Sequence, residues 1–323
     1  MSKDIYVIIE HIRGQIADIS YIMLAAGRQL ADVTSGKVVA VLLGHNAQGL
    51  ATGLAADEVL YVDHPALVNF NPMAYLNVLA GIVSANPPRA VFFGDTSIGG
   101  DLAGSLADRL SIPLVSHCLR IRVDGSEPYF ISQICGGKIL AEGILPAPVA
   151  MVMFVPGGYK SEQGQSDKTA PVINIAAPSL GDLSVSFLGF IEPESADIDI
   201  SKESILVSIG RGIQNDSNIE LADDLAKALG GVVSASRPVV DQGWLPTSRL
   251  VGKSGIKVKP KLYLALGISG APEHTEAITD CELIVAINTD PNAPIFDLAK
   301  YGVTLSIFDV IEVLTEKINQ AKA

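Results

Sequence analysis

Near its start the chain follows a strand-like run with a helix-like stretch and then another strand-like run. Residues 5–9 are β-rich. Residues 16–30 then place Ile16, Ile19, Met23, Leu24 and Leu30 close to helical spacing, and residues 38–43 are continuously apolar up to Gly44. A strand, a helix and a strand in that order require a right-handed crossover between parallel neighbours, which commits this part of the chain to an α/β sheet. The pattern continues with a strand at 58–62, a helix beginning near Pro72 and a strand at 90–93. After that strand, Asp95, Thr96 or Ser97 can cap a helix whose Leu102, Leu106 and Leu110 face the core. The glycine-rich turn there lacks the lysine of a P-loop and the spacing of G-x-G-x-x-G, so it reads as a structural turn.

The pattern changes at 114–155, where short strands broken by D-G, G-G and P-A-P suggest hairpins appended to the first domain. Residues 157–178 read as irregular, 183–191 as one more strand, and the acidic segment E-P-E-S-A-D-I-D-I as a linker. The expected division is an N-terminal α/β domain at 1–191, a linker at 192–203 and a second α/β domain at 204–323. The second begins with the strand I-L-V-S-I and a turn at 210–212. Ser217 and Glu220 fit a capping box for a helix whose stripe is Ile219, Ala222, Leu225, Ala226 and Leu229, ended by Gly230. The fold class is thus α/β in two domains, each with a mainly parallel sheet flanked by helices, the C-terminal one doubly wound.

Composition fits that reading. A chain of 323 residues, 48% apolar and only 18% charged, has the interior of two globular domains. The net charge of -12 disfavours nonspecific attraction to nucleic acid or anionic lipid. Prolines, glycines or charges interrupt each apolar run before the roughly 20 residues a membrane span requires, so no direct membrane insertion is expected. The N-terminus has no basic region followed by an apolar signal core and reads as cytoplasmic. Cys118, Cys135 and Cys281 are widely spaced, which argues against a disulfide framework, a zinc site or a protein-ligated iron–sulfur cluster. His11, His45, His64 and His117 lack metal-ligand spacing.

The stretch that carries chemistry is 234–288. Its densest part reads S-A-S-R-P-V-V-D-Q-G-W-L-P-T-S-R-L-V-G-K-S-G, followed by the strand L-Y-L-A-L, the turn G-I-S-G-A and His274. The turn Gly210-Arg211-Gly212 lacks the third glycine of a dinucleotide fingerprint. Where a nicotinamide-binding unit places a carboxylate, this chain has Ser236-Arg237. An arginine there suits a phosphate, or an electron-rich ring that gains negative charge on reduction. Glycines at 267–271 allow close backbone approach, and a helix over 273–278 would offer N–H groups to a pyrophosphate. The residues therefore describe a site for a large, anionic, planar cofactor.

Four motifs, S-R-P-V-V-D-Q-G-W-L-P, V-G-K-S-G, G-I-S-G-A-P-E-H and V-A-I-N-T-D-P-N-A-P-I-F, stand in the order and at the spacing of one family. From residue 204 onward the chain resembles the α subunit of electron-transfer flavoproteins. The resemblance implies that the bound group is FAD and that the protein pairs with a β subunit as a heterodimer. It also implies exchange with a flavin dehydrogenase, such as an acyl-CoA dehydrogenase, and with a quinone- or ferredoxin-linked acceptor. A simple shuttle and electron bifurcation both remain open.

By the same resemblance, Arg211 and Ser236 would contact the phosphate and ribitol, and Arg237 would lie over the isoalloxazine. Val251, Gly252, Lys253 and Ser254 would follow the ring edge, with the Ser254 hydroxyl near N5. Ser269, Gly270, Ala271, Pro272, Glu273 and His274 would hold the pyrophosphate and ribitol and bring His274 toward the C2 carbonyl. Asn288, Ser306 and Ile307 would line the adenosine end. Reduction places negative charge on the N1–C2=O side, where a donor and a cation raise the potential by about 59 mV for each 1.4 kcal/mol of extra stabilisation. The chain departs from the usual family form at Lys253-Ser254 (glutamine and threonine), at Pro272-Glu273 and at Ser306 (aspartate). The competing reading is an FAD- or nucleotide-binding domain used structurally inside a larger enzyme. Trp244 reads as packing rather than stacking.

Overall fold

The computed structural model describes residues 2–135, 137, 139–190 and 198–322. They form two compact units, Met1–Gly189 and Phe190–Ala323.

The first unit runs β1 (Ile5–Ile8), a small hairpin β2 (His11–Ile12) and β3 (Gln15–Ile16), α1 (Asp18–Thr34), β4 (Val38–Gly44), β5 (Glu58–Asp63), α2 (Pro72–Ala85), β6 (Ala90–Gly94) and α3 (Ser97–Leu110). It continues through β7 (Leu114–Asp124), β8 (Glu127–Ile134), β9 (Ile139–Ile144), β10 (Ala150–Phe154) and β11 (Val172–Asn174). Nine of these strands make one sheet in the order β11-β5-β4-β1-β6-β10-β7-β8-β9. All pair in parallel except β8 and β9, the appended hairpins at one edge. Strands β1, β4, β6 and β10 are buried along their whole length, as parallel strands covered on both faces must be. Helix α1 covers one face, and α2 and α3 cover the other.

The direction of winding reverses between β1 and β6. There the Thr96 hydroxyl caps α3 by accepting from the Gly99 N–H at 3.0 Å. The first turn of α3 sits directly on the end of β6, because a Cβ on Gly99 would lie 1.9 Å from the Gly94 carbonyl oxygen. Glu10 is buried at this junction, where its Oε2 accepts from the Thr96 hydroxyl at 2.8 Å. Burial pushes its carboxyl up to about 7, against the pull of that hydrogen bond.

The second unit runs β12 (Ile205–Ile209), α4 (Ile219–Leu229), β13 (Val232–Ala235), α5 (Arg237–Asp241), β14 (Leu262–Leu266), α6 (Pro272–Thr275), β15 (Ile284–Ile287), β16 (Tyr301–Val303) and α7 (Ile307–Lys322). Its sheet is parallel throughout, in the order β13-β12-β14-β15-β16, and its winding reverses between β12 and β14. Helices α4 and α7 cover one face, where each fully buried Leu or Ile contributes about 1.5–3 kcal/mol. Among the described residues no helix is long and apolar enough to cross a membrane.

Several sequence expectations are corrected. Ser217 does not cap α4: its Oγ bonds Asn215 Oδ1 at 2.6 Å, a 3-10 turn occupies Asp216–Asn218, and the helix starts at Ile219 without a side-chain cap. Residues 183–190 form no strand: Leu183 packs against the first unit's core, but Val185, Phe187, Leu188 and Phe190 are exposed, Leu188 by 97%. Ile191 and residues 192–197 of the expected linker lie outside the described residues. Ile200, near the linker's end, is fully buried in the second unit's core. The irregular stretch 157–178 contains the edge strand β11.

Candidate functional site

Every strand of the second sheet ends at a residue singled out from the sequence, and because all five strands run parallel these residues share one edge. Gly210 and Arg211 follow β12, and Ser236 and Arg237 follow β13. Residues 267–274 follow β14, Asn288 follows β15, and Ser306 and Ile307 follow β16. Open α/β sheets bind ligands outside the carboxyl ends of their strands at the point where winding reverses, here between β12 and β14. Glycines make that point possible. The Gly210 N–H donates to Leu266 O at 2.8 Å, the Gly212 N–H donates to Gly267 O at 3.2 Å, and a Cβ on Gly210 would lie 2.3 Å from the Gly267 oxygen.

Residues 250–256 run alongside the end of β13, where the Val251 N–H donates to Ala235 O at 2.9 Å. This brings Ser254 to Arg237, whose Nη1 donates to the Ser254 hydroxyl at 3.2 Å while its Nε bonds Asp241 Oδ2 at 3.3 Å. Arg237 stays 64% exposed, so its guanidinium faces solvent at the site's rim. Arg211, Lys253, Ser254, Ser269, Ala271 and Glu273 are also exposed; Ser236, Val251, Gly252, Gly270, His274 and Ile307 are buried; and Pro272, Asn288 and Ser306 lie between. Lys253 bridges to Glu276 at 3.9 Å, and its N–H donates to Glu273 O at 2.6 Å.

The helix expected over 273–278 is one turn, α6, after which Ala277 and Ile278 bond three residues back instead of four. Gly270, at φ +88, packs on residue 295, where a Cβ would sit 2.3 Å from the Ile295 nitrogen. Asn288 Nδ2 donates to Ile268 O at 2.8 Å, tying the end of β15 to the 267–271 turn.

His274, expected to reach toward the C2 carbonyl, instead has both ring nitrogens engaged by protein groups: Nδ1 lies 3.0 Å from Val251 O and Nε2 lies 2.8 Å from the Tyr263 hydroxyl. That hydroxyl is also 2.7 Å from Ser208 Oγ. Burial pushes His274 down to about 4, against the Val251 carbonyl, so the imidazole is neutral near pH 7. Tyr263 and Ser208 were missed from sequence; a tyrosine in an otherwise apolar strand, L-Y-L-A-L, was the one available signal.

The edge therefore offers exposed guanidinium groups at Arg211 and Arg237, exposed hydroxyls at Ser254 and Ser269, and close-approach glycines at Gly252, Gly267 and Gly270. Such a donor set suits an anionic ligand with an extended planar part. Trp244 packs against the core on the α4 side. Among the described residues no cluster of three His, Cys, Asp or Glu could hold a metal, and the three cysteines are unpaired with one another.

Residues 5–180 match the family described as electron transfer flavoprotein domain, and residues 199–279 match electron transfer flavoprotein FAD-binding domain. The chain is 33% identical to the acryloyl-CoA reductase electron transfer subunit beta of Anaerotignum propionicum, over 99% of this chain and 96% of that one. It is 32% identical to the electron transfer flavoprotein subunit alpha of Bacillus subtilis (99% and 98%) and 34% identical to the protein FixB of Azotobacter vinelandii (97% and 90%). A putative thiamin diphosphate-dependent enzyme from Mycobacterium smegmatis aligns over 92% of this chain and about half (53%) of its own length, at 11% identity and a TM-score of 0.25, too low to carry an argument. With both family matches in chain order and relatives above 30% identity along nearly its whole length, the chain belongs to the electron-transfer flavoprotein α-subunit family.

Proposed function

We propose that the second unit binds FAD at this edge and that the chain works as a heterodimer with an electron-transfer flavoprotein β subunit, its first unit (1–191) making the β contact. The single observation behind the site is the convergence of all five strand ends, with Arg237 on Ser254, beside the glycine contact at the winding reversal. Bound FAD supplies a ring that accepts and returns electrons one at a time. The chain's own groups would then divide the work. Arg211 and Ser236 hold phosphate and ribitol, Arg237 places positive charge at the ring, and residues 251–254 exclude water from its edge. Ser254 offers a hydroxyl for a proton, residues 269–274 hold the pyrophosphate side, and Asn288, Ser306 and Ile307 line the adenosine side.

The donor would be a flavin dehydrogenase, such as an acyl-CoA dehydrogenase, or an NADH-linked partner, and the acceptor quinone- or ferredoxin-linked, all on the cytoplasmic side. One relative is named as an electron transfer subunit of acryloyl-CoA reductase, which supports an acyl-CoA-linked donor or acceptor, and others are named FixB. A structural domain of a larger enzyme is disfavoured, because these relatives match over nearly their own full length.

The test is the absorbance of the chain purified with its β subunit. A flavin spectrum is expected, with FAD released on denaturation; a colourless complex that takes up no added FAD overturns the proposal. Counting flavins per heterodimer and testing reduction by NADH then separates shuttle from bifurcation.

A further inference from the structure

With the His274 ring neutral, the polar atoms buried behind the site admit one arrangement of hydrogens. Val251 O can only accept, so the His274 Nδ1, 3.0 Å away, must carry a proton. In a neutral ring Nε2 then has only a lone pair, and the Tyr263 hydroxyl at 2.8 Å must point its hydrogen there. With that hydrogen committed, the Tyr263 oxygen accepts from the Ser208 hydroxyl at 2.7 Å. Ser208 and Tyr263 are fully buried and His274 is 7% exposed, so these groups must find their hydrogen-bond partners mainly in one another. A charged ring would reverse the upper part of the chain by donating from Nε2 to the tyrosine oxygen. Burial opposes that state.

The receiving carbonyl belongs to the first residue of the 251–254 loop. The loop is also held by the Val251 N–H to Ala235 O, the Lys253 N–H to Glu273 O, the Arg237 guanidinium on the Ser254 hydroxyl and the Lys253–Glu276 ion pair. Gly252, at φ +152, backs onto the same Glu273 carbonyl, where a Cβ would come within 3.2 Å. The loop is thus fixed on one side to β13 and on the other to α6, where the buried imidazole is one side-chain link and the more exposed Lys253–Glu276 pair another.

We infer that Ser208, Tyr263 and His274 form a one-way buried hydrogen-bond chain that locks the His274 ring with its proton on Nδ1 and thereby holds the Val251 carbonyl and the 251–254 loop in place. Tyr263 and Ser208 are then positioning residues, acting on the ring-edge loop through His274. Their bearing on flavin rests on the proposed function, but the lock itself exists without flavin and is tested there.

The full chain, labelled with 15N-histidine and free of flavin, should show His274 as a neutral ring with Nδ1 protonated at pH 7 by nitrogen NMR. A charged ring, or one protonated on Nε2, overturns the inference. Tyr263→Phe, which removes only the hydroxyl, should shift the Nε2 signal toward that of an unbonded lone pair; an unmoved signal overturns it. Asparagine places its amide near the Nδ1 position and glutamine near Nε2. His274→Gln should therefore speed hydrogen exchange at the Lys253 and Gly255 amides by about tenfold, while His274→Asn keeps it within a few-fold of the parent. Equal exchange in the two variants contradicts the assignment. FAD uptake by the unsubstituted chain with its β subunit is measured separately, so failure there removes the flavin reading and leaves the hydrogen-bond result standing.

Discussion

The two α/β units finish the reversal point of their sheets in opposite ways. In the first, Gly94 and Gly99 bring α3 onto the end of β6 and the space is filled by the chain's own acid, Glu10, held by Thr96. In the second, Gly210 and Gly267 make a similar backbone contact, but the side chains beyond it, Arg211, Arg237, Ser254 and Ser269, stay exposed. One architecture thus gives a junction closed by its own carboxyl and another left open to an outside anion. The buried titratable groups differ as well: an acid raised to about 7 in the first unit and a base lowered to about 4 in the second.

The largest expected effect breaks one side of this comparison. Gly267 has φ +63 and lies against Gly212, where a Cβ would fall 2.6 Å from the Cα. Gly267→Val should destabilise the second unit by about 3 kcal/mol or more and abolish flavin uptake. Urea unfolding followed with the flavin spectrum checks it, and the first unit's transition should stay in place.

Next come two pH profiles of opposite slope. A carboxyl that binds its proton more tightly folded than unfolded favours the folded state at low pH. Glu10 should therefore cost the first unit stability as pH rises from 4.5 to about 7, by roughly 3 kcal/mol in all. Glu10→Gln should flatten that slope in pH-dependent urea titrations. A histidine that binds its proton less tightly folded does the reverse. His274 contributes stability above 6.5 that is lost as pH falls toward about 4, again by roughly 3 kcal/mol. The second unit should melt first on acidification, and His274→Asn should remove most of its acid sensitivity. Circular dichroism melts at stepped pH would show both slopes.

The smallest effect concerns the open side alone. Arg237→Ala should weaken FAD binding by about tenfold, read by equilibrium dialysis, with little change in thermal stability because the side chain is 64% exposed and its partners are solvated.

Much of this contrast was legible in the sequence. Parallel strands buried on both faces spell themselves as nearly unbroken apolar runs, which is why β1, β4, β6 and β14, and β12 despite Ser208, could be read directly. The strands that escaped notice, β2, β3, β11 and β16, are two or three residues long and largely exposed, so they carry no such run. The apolar stretch at 183–190 misled for the opposite reason: most of its hydrophobic residues are exposed, and composition does not say which way a side chain faces. At the site, glycines and arginine at strand ends could be read because close approach and charge are properties of residue type. The partners of His274 could not. They depend on a tyrosine hydroxyl reaching across from β14 and a carbonyl from a loop beside β13, contacts that only the packed unit creates.

Gly270 carries a further implication for timing. Its contact with residue 295, together with the Ile295 N–H to Ser269 O bond at 3.0 Å, ties the turn after β14 to the segment after β15. That seam closes with the fold itself, before any ligand arrives, so a ligand spanning both segments meets them already joined.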